Sequence, residues 1–220
     1  MSKRFLIILA VLFGLFAGIV FLSKHKDNQS NSANGGSGQP SSHVQGAGNK
    51  GVTVVEYGDF QCPACGSYFP IVEEVRSKYG DNITFQFVHY PLVNIHQNAM
   101  AAHRAAEAAG RQGKFWEMYT ILYQRQNSWS SASNPSRIFE DYATELGLNI
   151  DQYRNDYASE DVANTINADV KSAQAAGATG TPTFVINGKK VEELPQTYDG
   201  FIELIDAAIA QQAAQQGQSQ

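Results

Sequence analysis

The chain has 220 residues, 43% of them hydrophobic, and a formal net charge of −5. That length suits one domain with a sizeable core plus some additional material. Residues 1–50 carry five Lys/Arg and one Asp, which leaves 11 basic and 20 acidic side chains, a net of −9, on residues 51–220; so acidic a domain repels phosphate backbones and has no nucleic-acid partner.

Lys3 and Arg4 precede an unbroken apolar run of 18 residues, FLIILAVLFGLFAGIVFL, from Phe5 to Leu22. As a helix rising ~1.5 Å per residue it would cross most of a bilayer core of about 30 Å. No small-x-small cleavage signal follows closely, so residues 1–26 are expected to be an uncleaved signal anchor, a single transmembrane helix, with a cleaved signal peptide as the lesser alternative. Lys24 and Lys26 on the far side leave the positive-inside preference for a cytoplasmic N-terminus weak. From Asp27 to Lys50 the sequence turns rich in Ser, Asn and Gly without apolar periodicity. Residues 27–50 are therefore expected to be a flexible linker, and His25 and His43 solvated histidines in or beside it.

VTVVEY (Val52–Tyr57) is a β-branched run that predicts a buried strand. Ser67–Tyr79 repeats apolar residues at helical spacing, and Ile83–Tyr90 predicts a second strand, so the pair should be parallel with a right-handed crossover. Helices are predicted over Asn98–Ala109, over Lys114–Gln126, after Asn134-Pro135 with a face of Ile138, Tyr142 and Leu146, over Asp151–Ala158, and along Val162, Ile166, Val170 and Ala173. Thr183–Gly188 predicts a strand that turns at Asn187-Gly188 into KKVEE. A last helix carries Phe201, Leu204, Ile205, Ala208 and Ile209, and residues 213–220 read as a frayed polar tail. The expected architecture is an α/β domain over residues 51–212 with an all-helical insertion at about residues 95–178.

Cys62 and Cys65 are the only cysteines in the chain, two residues apart in YGDFQCPACGSYF. A structural disulfide gains most by closing a long loop, and a ring this short restrains almost nothing. The pair is a metal half-site or a reactive dithiol. Zinc needs about four ligands, of which a CxxC supplies two, and His89, His96 and His103 are the candidates for the rest. His96 and His103 would lie two turns apart on one helix, too far for one ion, and each reads more simply as a surface or satisfied polar residue. A dithiol fits the surroundings better. Pro63 suits a first helical turn, which puts Cys62 at a helix N-terminus where free N–H groups favour its thiolate, and Cys65 one turn further in. Glu56 is either a carboxyl buried in the strand with a raised pKa, able to exchange a proton with Cys65, or a strand-end charge reaching solvent. Pro182 opens a strand, and its cis or trans state is not legible from base rates.

VVEYGDFQCPACGSYFP near the start, GTPTFVINGKK near the end and the long helical stretch between them resemble the DsbA-type thiol–disulfide oxidoreductases of the thioredoxin-like fold, over roughly residues 50–212. The resemblance implies a redox-active Cys62–Cys65 disulfide with Cys62 as the attacking and Cys65 as the resolving thiol, Glu56 as the buried acid beneath them, and Pro63 and Ala64 between them. It also implies a cis Thr181-Pro182 loop against the sulfurs, with the Thr181 backbone pairing with substrate. No metal or other cofactor is implied. The implied partners are reduced or unfolded secreted proteins, the membrane through the N-terminal helix, and a quinone-linked membrane protein that reoxidises the dithiol. The implied location is a bacterial cell membrane, crossed once, with the catalytic domain outside the cytoplasm. Ala64 departs from the strong oxidants of the family, which have His at that place; His can stabilise the neighbouring thiolate and Ala cannot. The leading expectation is a disulfide-introducing enzyme. The alternatives are a membrane-anchored reductase or isomerase using the same residues, and a peptide-binding chaperone without redox function.

Overall fold

The computed structural model describes residues 38–217. The signal anchor expected over residues 1–26 and the linker as far as residue 37 lie outside the described residues; among the described residues no helix is long and apolar enough to cross a membrane. The strands are β1 (His43–Gln45), β2 (Val52–Gly58), β3 (Ile83–His89), β4 (Thr183–Ile186) and β5 (Lys189–Lys190), in the sheet order β1-β3-β2-β4-β5. The helices are α1 (Pro63–Tyr79), α2 (Ala99–Gly110), α3 (Phe115–Gln124), α4 (Gln126–Trp129), α5 (Pro135–Glu145), α6 (Ile150–Ala158), α7 (Glu160–Ala175) and α8 (Tyr198–Gly217).

β2 and β3 run parallel, joined by α1, and β4 pairs antiparallel with the other edge of β2. The two-residue period of a strand sends alternate β2 side chains to opposite faces. Val52 and Val54 join Val72 and Val75 of α1, Phe85 and Phe87 of β3, and Phe201 and Ile205 of α8 in the main core. Tyr57 faces the other way and packs with Val88, Tyr90, Ala173 and Val185 in a second cluster. Helices α2 to α7, inserted between β3 and β4, form the expected helical insertion, and the Asn187-Gly188 turn takes the positive φ values, 48° and 76°, that a tight hairpin requires.

Four expectations are corrected. The linker was expected to reach residue 50, but His43–Gln45 forms β1, antiparallel to β3. Three polar-rich residues carry no strand period; tertiary bonds hold them. Buried Asp169 of α7 accepts from the backbone N–H of Ser41 at 2.8 Å, from the Ser41 hydroxyl, and from the N–H of His89 at 3.0 Å. Arg76 stacks over Trp116 at 4.4 Å and donates from Nε to Gln45 at 2.9 Å. His43 is accordingly no solvated histidine: its ring lies flat on Phe115, and Nε2 bonds Glu107. The helix expected over Lys114–Gln126 breaks at Arg125 (φ −110°, ψ 21°) and restarts as α4. In α5 the expected Ile138, Tyr142 and Leu146 do pack on the core, with Tyr142 buried beside Phe139 and Ala143. Residues 213–217, expected as part of a frayed tail, continue α8.

Removing the Asp169 carboxylate would strand three donors in the interior, at about 1–3 kcal/mol for an unsatisfied group. Asp169→Ala should lower unfolding free energy by about 3 kcal/mol and speed hydrogen exchange at Val44. A loss under about 0.5 kcal/mol in urea unfolding would show that the clamp contributes nothing.

Candidate active site

β2 delivers the site. It ends at Gly58, the chain turns through residues 59–61, and Cys62 is the N-cap of α1 with φ −66° and ψ 122°, followed by Pro63 at the first helical position. Sγ of Cys62 lies 3.3 Å from the backbone carbonyl of Thr181, to which it donates when protonated. Pairing of Glu56 with Phe184 and of Tyr57 with Thr183 brings the Thr181–Pro182 loop, whose peptide bond is cis, to this end of β2. The dithiol is free in this structure, and both sulfurs lie among buried residues.

The two thiols are electrostatically unequal. A hydrogen bond from the Cys65 thiol, helped by the backbone N–H groups of Cys65 and Ala64 at the helix N-terminus, outweighs burial and pulls the Cys62 thiol from 9.0 down to about 5. Burial, reinforced by the bond to Cys62, pushes the Cys65 thiol well above its ordinary value. Cys62 is therefore a thiolate at neutral pH, and Cys65 keeps its proton.

Glu56 shares the face of β2 that carries Val52 and Val54, and it is 1% exposed, so its carboxyl is a buried acid and not a strand-end charge. Burial lifts it to about 8, moderated by the Tyr119 hydroxyl that donates to Oε2 at 3.4 Å. Gly58 makes the space: a Cβ there would meet Phe87 at 2.4 Å and Glu56 Oε1 at 3.1 Å. At pH 7 Glu56 is thus a neutral acid whose charge, when it forms, would act on Cys65. Pro63 and Ala64 are both exposed, and the Ala64 methyl adds neither charge nor donor to the thiolate.

A buried polar chain that the sequence did not disclose runs beneath the loop. Asp59 accepts from the N–H of Gln61 (2.8 Å) and of Leu92 (2.9 Å) and pairs with His96 Nδ1 (2.6 Å). His96 precedes α2, so the helical spacing assumed between it and His103 does not exist. His103 Nε2 lies 3.7 Å from Asp59, and its Nδ1 meets Nδ1 of His89 at 2.5 Å. His89 Nε2 bonds Glu107 at 2.8 Å, on the oxygen that also meets His43. One self-consistent set of hydrogen bonds has His43 and His89 donating from Nε2 to Glu107, His103 donating from Nδ1 to His89, and His103 Nε2 accepting from the N–H of Phe60 at 3.4 Å. Burial agrees, driving His103 down to about 4. His43, His89 and Glu107 are the one trio among the described residues with donor atoms close enough for a metal ion, and it contains neither cysteine. The half-site alternative for the CxxC thus finds no matching ligands there.

A family profile described as thioredoxin matches residues 38–207. The chain belongs to the thioredoxin family. Among solved structures, BdbD from Bacillus subtilis superposes with a TM-score of 0.67 at 25% identity, covering 79% of this chain and 97% of its own. A thioredoxin-like oxidoreductase from Silicibacter pomeroyi gives 0.61 at 26% identity over 75% and 90% of the two chains. The α-DsbA1 of Wolbachia pipientis shares the fold, with a TM-score of 0.68 at 18% identity over 81% and 96%. The described residues of this chain have the thioredoxin-like α/β fold with a helical insertion, the fold of these solved structures. Curated relatives in Salinispora arenicola and Mycolicibacterium gilvum are named Na(+)/H(+) antiporter NhaA 1 and are 41% and 37% identical over 148 and 152 residues. Those matches take in 67% of this chain but only 22% and 24% of the relatives, so the chain spans about a fifth to a quarter of their length.

The opposed shifts set a pH profile for the reduced protein. Glu56, raised from 4.5 to about 8, contributes stability that is full below pH 4.5 and is lost as pH rises through 8. Cys62, depressed from 9.0 to about 5, contributes stability that is full above pH 9 and is lost as pH falls through 5. Between pH 5 and 8 the slopes, each up to about 1.4 kcal/mol per pH unit, largely cancel. Glu56→Gln should leave the Cys62 slope alone, so the reduced variant gains stability from pH 5 to 8 more steeply than the parent does. Identical urea-unfolding profiles would mean that Glu56 ionises as an ordinary carboxyl.

Proposed function

We propose that this enzyme donates its Cys62–Cys65 disulfide to secreted or cell-surface proteins outside the cytoplasm, and that a quinone-linked membrane partner reoxidises the dithiol. The observation that carries the oxidase direction is the inequality of the thiols. A stabilised Cys62 thiolate lowers the energy of the reduced form, which makes the disulfide readier to accept electrons. A substrate thiolate attacks Sγ of Cys62, a mixed disulfide forms, and Cys65 leaves as a thiolate. Its high proton affinity draws a proton from neutral Glu56. A second substrate thiolate then attacks the substrate sulfur of the mixed disulfide, the substrate disulfide closes, and Cys62 leaves as the favoured thiolate. Two substrate thiols are oxidised, and the enzyme disulfide takes up both electrons.

The extracytoplasmic setting draws its support from the apolar run Phe5–Leu22 behind Lys3 and Arg4, which we assign to a single membrane anchor. Exposed Ala64 favours the second reading, a membrane-anchored reductase or isomerase, because it withholds the side-chain stabilisation that would make the disulfide strongly oxidising.

Equilibration with glutathione buffers decides the direction. An oxidase should lie well above about −270 mV, the thioredoxin value, and a result at that value favours the reductase. Ala64→His should raise the potential and lower the Cys62 pKa. Cys62→Ser should abolish exchange on a reduced unfolded protein, and retained exchange would overturn the enzymatic reading.

A further inference from the structure

A side chain of the helical insertion bonds the backbone of the nucleophile. Gln126 opens α4, immediately after the break at Arg125. Its Nε2 donates to the carbonyl of Phe60 at 2.7 Å and to that of Cys62 at 2.9 Å, one bond for each amide hydrogen. The Cys62 carbonyl also accepts the N–H of Gly66 at 3.0 Å, which closes the first turn of α1. Glycine at position 66 keeps the amide seated: a Cβ there would stand 2.7 Å from Gln126 Oε1.

We infer that Gln126 is a positioning residue for Cys62, holding the first turn of α1 in the geometry that favours the thiolate and thereby stabilising the reduced enzyme over the disulfide. The inference rests on Cys62 being the exchange nucleophile. The preference for one redox state follows from what else restrains the loop in each. In the disulfide form a short covalent ring ties Cys62 to Cys65 and fixes their separation. In the dithiol form that tie is gone, and the aim of Sγ at the N–H groups of Ala64 and Cys65 depends on non-covalent bonds to the loop. The two carbonyls that Gln126 caps also carry partial negative charge close to the thiolate, and an amide N–H on each offsets it. Both effects have the same sign. A neutral amide suits the task, since a carboxylate in its place would add repulsion and remove the donors.

The test uses Gln126→Met, which keeps length and loses both donors, and Gly66→Ala, which displaces the amide while favouring the helix. Thiolate ultraviolet absorbance against pH should show the Cys62 pKa of Gln126→Met raised by about one unit, a tenfold loss of thiolate at acidic pH. The glutathione equilibrium should move about tenfold towards the disulfide, about 30 mV for a two-electron couple. Denaturant unfolding should show the reduced form losing more stability than the oxidised form. Gly66→Ala should move pKa and potential in the same direction even though its helix is favoured, so the question remains answerable if Gln126→Met folds poorly. Unmoved pKa and potential, with both redox forms destabilised alike, would overturn the inference and leave Gln126 as packing. A parent enzyme with an ordinary Cys62 pKa and no exchange activity would instead overturn the functional reading beneath it.

Discussion

Strand β2 has a hydrogen-bonded neighbour on each edge and apolar clusters on both faces, and the chemistry depends on that enclosure. Burial disfavours charge, so a carboxyl on the α1 face of β2 holds its proton into the physiological range. The same strand aims the chain at the N-terminus of α1, where unpaired N–H groups favour negative charge. Neutral Glu56 and anionic Cys62 are therefore products of one arrangement, a dry strand interior opening onto a helix terminus. Cys65 lies one turn inside the helix and falls on the dry side of that boundary.

The helical insertion does more than cover the sheet. It supplies Tyr119 to Glu56, Gln126 to the carbonyls around Cys62, and His103 and Glu107 to the polar chain under Phe60. Asn98, just before α2, shares its two Nδ2 hydrogens among the carbonyls of Trp129, Ser130 and Ala132, while its backbone N–H donates to the side chain of Gln61. The loop that carries the thiols is thus bonded on both sides, to the Thr181 loop of the sheet and to the insertion. Partially satisfied polar networks are costly in an interior, and the hydrogen bonds from His43 to Phe60 give the buried Glu107, His89 and His103 partners.

Local patterns made much of this legible. The β-branched run of β2, the period of α1 with Pro63 at its start, and Asn187-Gly188 at the hairpin are short-range signals that act within a few residues. The parallel pairing of β2 and β3 follows from strand–helix–strand order alone. Where the reading failed, the deciding contact was distant in sequence. β1 is held by Asp169, 128 residues from Ser41, and by Glu107, 64 residues from His43. Such bonds leave no trace in the Ser- and Gly-rich composition around them.

The amino-acid sequence by itself determined the reactive chemistry: two cysteines in a ring too short to brace a fold, a proline that starts a helix behind the first, and an acid set in a β-branched strand. Those are properties of covalent spacing and backbone preference, which need no partner. The tertiary structure alone decided how that chemistry is tuned. Whether Glu56 is a buried acid or a surface charge depends on Phe87, Phe184 and Tyr119 closing around it, and whether Cys62 is aimed at the helix N–H groups depends on Thr181 and Gln126. Desolvation and hydrogen-bond geometry are set by atoms far apart along the chain, and they exist only once the sheet and its insertion have come together.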